Sequence, residues 1–219
     1  MQQKPKRVLS SRGFTILELI VSISIIVVIT AVVAFNQKDF DDQISLANLA
    51  TDIEVEIRQA QVYGISVREF APNTNEFNIS YGVSFNLLTS FGGGNNFYVS
   101  FADRPLPSQN NQYDGIHSGS NCQIGGSSEC LNFNNILRGN IISDLCVTLN
   151  NNTQQCFPNI GRFDVMFQRP NPDAVFTFFN PSGTVVPFPG HKGARIVITS
   201  PKGKTQSIHI YKTGQISIQ

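Results

Sequence analysis

Between Phe14 and Phe35 the chain runs 22 residues without glycine or proline and with a single charge, Glu18. An apolar run of that length reads as a membrane helix: at about 1.5 Å per residue it reaches roughly 33 Å, against a hydrocarbon core of about 30 Å. Beyond it the pattern becomes one-sided. Phe40, Ile44, Ala47, Ala50, Ile53, Ile57 and Ala60 recur at three- and four-residue spacing, separated by residues such as Asp42, Asn48, Asp52, Glu54, Glu56, Arg58 and Gln61. This spacing predicts an amphipathic helix packed on a sheet, with Gly64 as its stop. No helix breaker stands between Phe14 and Tyr63, so the two patterns join in one long helix.

Downstream the period shortens to two. Candidate strands are Tyr81–Leu88, Phe97–Phe101, Ile136–Ile142, Leu145–Leu149, Phe163–Gln168, Ala174–Phe179, Arg195–Thr199, Ser207–Tyr211 and Gln215–Ile218, punctuated by Gly, Asn and Pro. Alternation within Tyr81-Gly82-Val83-Ser84-Phe85 and Ser207-Ile208-His209-Ile210-Tyr211 fits strands with one buried face, the habit of antiparallel sheets. From about Asp103 to Gly139 the chain is rich in Asn, Ser and Gly and reads as a long surface insertion. The expected fold class is α+β: a long N-terminal helix, its first half transmembrane, packed on an antiparallel β-rich head. The expected divisions are a leader (1–13), a transmembrane helix (14–35), an amphipathic helix (36–64) and an exported head (65–219) with the insertion at about 103–139.

Charge sets the topology. Lys4, Lys6, Arg7 and Arg12 precede the apolar run, and Lys38, Asp39, Asp41 and Asp42 follow it, so the positive-inside rule places the N-terminus in the cytoplasm and exports the rest. A cleaved secretory signal fits less well. The run exceeds the usual 7–15 residues, Ala31-Val32-Val33-Ala34 is not an A-x-A site, and the pattern passes directly into the amphipathic segment. Formal net charge is +1, and without the basic leader 12 basic residues face 15 acidic ones, net −3. That balance gives no bulk attraction to nucleic acid.

The segment Arg12-Gly13-Phe14-Thr15-Ile16-Leu17-Glu18-Leu19-Ile20 resembles the processing site of type IV prepilins and type II secretion pseudopilins. The resemblance implies that a membrane aspartyl peptidase, the prepilin peptidase, cuts after Gly13 and methylates Phe14. It also implies assembly into a filament or pseudopilus with other pilin-like subunits on an inner-membrane assembly platform, the apolar helix forming the filament core. Glu18 would then be the fifth residue of the mature chain, where that family keeps a glutamate. Physical chemistry gives it work to do: a carboxylate at mid-bilayer costs about 2.5–3.5 kcal/mol and calls for a partner. The free α-amine of Phe14 on a neighbouring subunit is one such partner and would set axial register, whereas a lone Glu18 would snorkel to the interface. Many pilins carry a proline or glycine in the first half of this helix; this chain departs from that pattern. Leu49–Val67, with Arg58-Gln59-Ala60-Gln61, and Tyr211-Lys212-Thr213-Gly214-Gln215-Ile216 are similar to H-type minor pseudopilins, which implies a β-sandwich head.

Four cysteines, Cys122, Cys130, Cys146 and Cys156, lie in the exported part, where disulfides form. Three pairings are open. Cys146 and Cys156 flank the turn-like Asn150-Asn151-Asn152 and are suited to face each other, which leaves Cys122 and Cys130 to close the insertion. No C-x₂-C spacing points to zinc, and the three histidines are scattered. Asp103, Asn110, Asn111 and Asp114 offer hard oxygens, but their spacing matches no calcium loop. No cofactor or metal is expected. No G-x-S-x-G, H-E-x-x-H or Walker motif is present, so an enzyme is not expected either. Some minor pilins of DNA-uptake systems capture DNA through a basic patch near the C-terminus. Lys192, Arg195, Lys202, Lys204 and Lys212 are the matching candidates, expected to line up on a terminal hairpin.

Overall fold

Helix α1 (Ile16–Ile65) begins where a side chain can cap it. The Thr15 carbonyl accepts the Leu19 N–H at 3.1 Å, and Thr15 Oγ1 accepts the Glu18 N–H at 3.3 Å. Thr15 is therefore the N-cap, its hydroxyl satisfying one of the amides that a first helical turn leaves without partners. In this computed structural model the described residues are 13–66, 70, 76–105, 108–115, 122 and 128–219, with the backbone alone for 35–39. The leader residues Lys4, Lys6, Arg7 and Arg12 lie outside them.

The chain divides into two compact units, Met1–Asp41 and Asp42–Gln219. In the first, Ile16–Ala34 has a mean hydropathy of 2.9, is long and apolar enough to cross a membrane, and buries nothing within the protein. Its hydroxyls are satisfied inside the helix: Ser22, Ser24 and Thr30 donate to the carbonyls of Glu18, Ile20 and Ile26. This back-bonding lets polar side chains sit in an apolar segment without exposing a donor to lipid.

The second unit is β-rich, with two antiparallel five-stranded sheets. The first has the order β3 (Cys130–Asn135), β2 (Phe97–Asp103), β1 (Ser80–Asn86), β6 (Arg162–Gln168), β7 (Asn171–Phe179). The second has the order β10 (Ile216–Ile218), β9 (Thr205–Tyr211), β8 (His191–Thr199), β4 (Ile141–Leu149), β5 (Gln154–Cys156). One core joins Ile53 and Ile57 of α1 to Val83, Phe85, Phe163 and Phe167 of the first sheet and to Leu145, Ile196, Ile208 and Ile210 of the second.

Several expectations need correction. The buried face of α1 is Leu46, Leu49, Ala50, Ile53, Ile57, Ala60 and Gly64, while Phe40, Ile44 and Ala47 are exposed. At about 100° per residue these three fall well to one side of the buried stripe, and the rotation that buries the larger Leu46 and Leu49 wins. The helix ends at Ile65, one residue past the expected stop at Gly64; Gly64 belongs to the last helical turn, where a Cβ would come within 2.2 Å of the Phe167 carbonyl oxygen, so its role is close helix-to-strand packing. Ile136–Ile142 is not a strand: Arg138 (φ 60°) and Gly139 (φ 73°) turn the chain, and β4 starts only at Ile141, absorbing Leu145–Leu149. The expected insertion contains β3, hidden because Asn132, Asn134 and Asn135 interrupt any apolar alternation. The polar strand β5 was not expected from the pattern for the same reason.

Candidate functional site

The residues at the start of α1 are open to an approaching partner. Among the described residues, nothing beyond its chain neighbour lies within 4 Å of where a Cβ on Gly13 would stand, Phe14 is 72% exposed, and Glu18 is exposed in the first helical turn. Glu18 forms no ion pair with a described residue. The sequence reading overlooked that Glu18 also belongs to the Thr15 cap, although the Thr-x-x-Glu spacing was the available signal. Further along, in the second unit, Ile44, Val55, Val62 and Ile65 remain exposed on the side of α1 turned from its buried stripe. Exposed Asn48, Thr51, Arg58 and Gln59 lie between them on the same side of the helix, so that side is mixed in polarity.

The cysteines pair as Cys122–Cys130 and Cys146–Cys156. Cys146 and Cys156 are register partners across β4 and β5, joined by a turn with Asn152 at φ 64°. Asp144 completes a trio with these two sulfurs, all ligand atoms lying within 4.8 Å. Their bond to each other consumes the thiolates a metal would need.

The basic candidates do not form one patch. Lys192 and Lys212 meet at one end of the β8–β9 hairpin, where the Lys212 N–H donates to the Lys192 carbonyl, while Lys202 and Lys204 belong to the turn at the other end. The ladder between them, from Gly193↔Tyr211 to Thr199↔Thr205, spans six residue steps, about 20 Å. Arg195 stands midway and is turned to the disulfide, its Nη2 3.5 Å from Cys146 Sγ, in the same cross-strand row as His209. Burial and the Arg195 charge hold His209 below the usual imidazole range. Its Nε2 lies 3.2 Å from Ser207 Oγ, but among the described residues no carboxylate hydrogen-bonds the ring, so the nucleophile–base–acid sequence of a hydrolase is not assembled there.

A group of buried acids was missed by the sequence reading, which had no local motif to announce it. Asp103, Glu129 and Asp164 are fully buried and grip the loop 110–114 through its backbone. Asp103 accepts the N–H groups of Asn110 (3.1 Å) and Asn111 (3.0 Å), Asp164 that of Tyr113 (2.9 Å), and Glu129 that of Asp114 (2.7 Å). Arg162 donates to Asp164 and to the Tyr113 carbonyl while stacking on Phe179. Burial pushes the Glu129 carboxyl up to about 7, with Asp114 and Asp103 adding repulsion. Asp103 is raised by the same cause. The hard-oxygen candidates Asp103, Asn110, Asn111 and Asp114 do come together, but both Asp103 oxygens are committed to loop amides.

No family model matches the chain, and no curated protein or solved structure is significantly similar to it.

Proposed function

We propose that the protein is a structural subunit of a type IV pilus-like or type II secretion filament, made as a membrane precursor and assembled through its N-terminal helix. The observation that carries this reading is the juxtaposition near the N-terminus: the exposed Gly13-Phe14 pair directly before a 19-residue apolar span of α1, Ile16–Ala34, which buries nothing against the described residues and carries one acid, Glu18, in its first turn. An apolar surface of that extent is stable only in lipid or against other apolar helices. In this reading the N-terminus starts in the cytoplasm, the prepilin peptidase cuts after Gly13 and methylates Phe14, and Glu18 pairs with the Phe14 amine of a neighbouring subunit.

Intact-mass and N-terminal peptide mass spectrometry on protein from membranes of cells that carry its own assembly system tests the proposal. A chain that begins at Phe14 and is one methyl group heavier than its sequence is the expected result. An intact Met1 start would reduce the segment to a plain signal anchor, and cleavage after the apolar run would make the protein a secreted β-domain.

A further inference from the structure

Within the second unit, α1 and the first sheet enclose a hollow of about 590 Å³. That volume falls in the range of roughly 300–1,000 Å³ found for small-molecule sites. Along α1 the hollow runs from Ser45 to Glu56, about 16 Å. Its other walls are Tyr98 of β2, the Asn135 end of β3, and the turn that follows as far as Asn140.

Two side chains on these walls are buried with polar atoms unused. Asn140 is 3% exposed; its Nδ2 donates to Ser45 Oγ at 2.9 Å, while its Oδ1 has no hydrogen-bond partner. Were the amide turned over, its nitrogen would be left without one instead. Tyr98 is 5% exposed, and among the described residues nothing hydrogen-bonds its hydroxyl. Burial and the nearby charges of Glu56 and Asp52 raise that hydroxyl well above its ordinary range, so it keeps its proton and can both donate and accept. Buried polar atoms without partners are uncommon in native folds and call for something that completes them.

The acids beside them are held in place. Ser100 Oγ donates to Glu56 and accepts Asn134 Nδ2 at 3.1 Å, and Asn134 Oδ1 accepts Asn132 Nδ2 at 2.7 Å. This chain of bonds fixes Glu56 through Oε1 and leaves Oε2 without a partner among the described residues. Asp52 stands one turn earlier on α1 and is exposed. Arg138 adds a cation, and Val55 (55% exposed) and Leu137 (72%) add apolar surface.

Carboxylates only accept hydrogen bonds, a guanidinium only donates, and an amide or a phenol does both. A cation would answer the acceptors alone. An anion would answer the donors alone and would be repelled by Asp52 and Glu56. A ligand with many hydroxyls answers the whole set, and the C–H faces of sugar rings suit the apolar part of the wall. We propose that this hollow binds an uncharged oligosaccharide, its hydroxyls shared among Asn140, Tyr98, Glu56 and Asp52 and a C–H face laid on Val55 and Leu137. The site stands whether or not the chain enters a filament.

Saturation-transfer NMR on the full chain, in micelles of a detergent without a sugar headgroup, tests the proposal. The uncharged probes are cellotriose, maltotriose and tri-N-acetylchitotriose; trigalacturonate is the anionic probe and trilysine the cationic one. At least one uncharged probe is expected to receive saturation and to shift the Asn140 side-chain amide signals. Tyr98→Phe removes a hydroxyl without a described partner, so it should keep the melting temperature and weaken binding of that probe about two- to tenfold. Asp52→Ala, at an exposed position, should weaken it at least about tenfold, the range of a hydrogen bond to a charged group. No transfer to any uncharged probe, tighter binding of trilysine or trigalacturonate than of every uncharged probe, or affinities unchanged in both variants would overturn the proposal.

Discussion

Ile16–Ala34 and the core of the head are comparably apolar, yet they differ in what covers them. The first carries apolar side chains all round the helix, each exposed to whatever surrounds it. The second shares its apolar residues among one helix face and two sheets, and Ala50, Ile53, Phe85 and Phe163 reach zero exposure. Burial within the chain requires one-sidedness, because a helix that is apolar all round cannot be covered by a single sheet. The stability of the head is therefore written into its own fold, whereas that of the first segment belongs to its surroundings.

The largest effect that would sharpen this contrast is Phe163→Ala. Its ring lies 5.4 Å from that of Phe85, 5.9 Å from Phe178 and 6.3 Å from Phe176, so truncation leaves a cavity at the centre of the head. We expect a loss of about 3–5 kcal/mol in denaturant unfolding of the head, with no change in membrane extraction. Ile25→Arg should do the reverse: insertion becomes less favourable by about 2.5–3.5 kcal/mol while the melting temperature of the head stays put. Membrane fractionation set beside thermal unfolding of the same variants reads both. A head that melts earlier in Ile25→Arg would break the comparison, because it would mean that the two units stabilise each other.

The sequence was legible wherever the signal was local. The uninterrupted apolar run, the alternation in the strands around Val83, Phe163, Ile196 and Ile208, and the turn between Cys146 and Cys156 all had such signals. What escaped was decided by partners distant in the chain. β3 exists because β2 offers it a ladder and Cys130 ties it to Cys122, not because Asn-rich sequence favours a strand. Asp103, Glu129 and Asp164 are spread over 62 positions and become one group only when β2, β6 and the segment leading into β3 converge on loop 110–114. The basic candidates failed in the opposite sense: proximity in sequence suggested a patch, and the hairpin sent its two ends apart.

Gly64→Ala has a smaller effect and tests packing against propensity. Alanine is favoured over glycine by about 1 kcal/mol in a helix interior, and by less in a last turn such as that of Gly64. Against that, the new Cβ would press on the Phe167 carbonyl from 2.2 Å, a backbone atom that cannot rotate away, and overpacking of this kind costs about 1–3 kcal/mol. The packing term acts on the folded state and should win, giving a net loss in thermal unfolding of the head. A gain in stability would show that the helix and β6 have room to part.

The subtlest effect is a dependence on pH with an unusual sign. Most paired carboxylates make a fold less stable as acid is added, but Glu129 works the other way. Its carboxyl titrates at about 7 in the folded chain because burial disfavours the charged form, against 4.5 when exposed. The folded state therefore holds a proton that the unfolded state has already released. The contribution of Glu129 to stability is greatest below pH 4.5, declines as pH rises to about 7, and is level above it. The raised Asp103 has the same sign, while His209, held below its usual value, adds stability as pH rises toward 6.5 and opposes the trend. Glu129→Gln keeps the shape and a neutral polar group, so it separates these terms. The melting temperature of this variant should exceed that of the parent at pH 8 and converge with it near pH 5. A difference between the two proteins that does not change with pH would show that Glu129 ionises as freely in the fold as in water, and that the loop it grips is open enough to hydrate it.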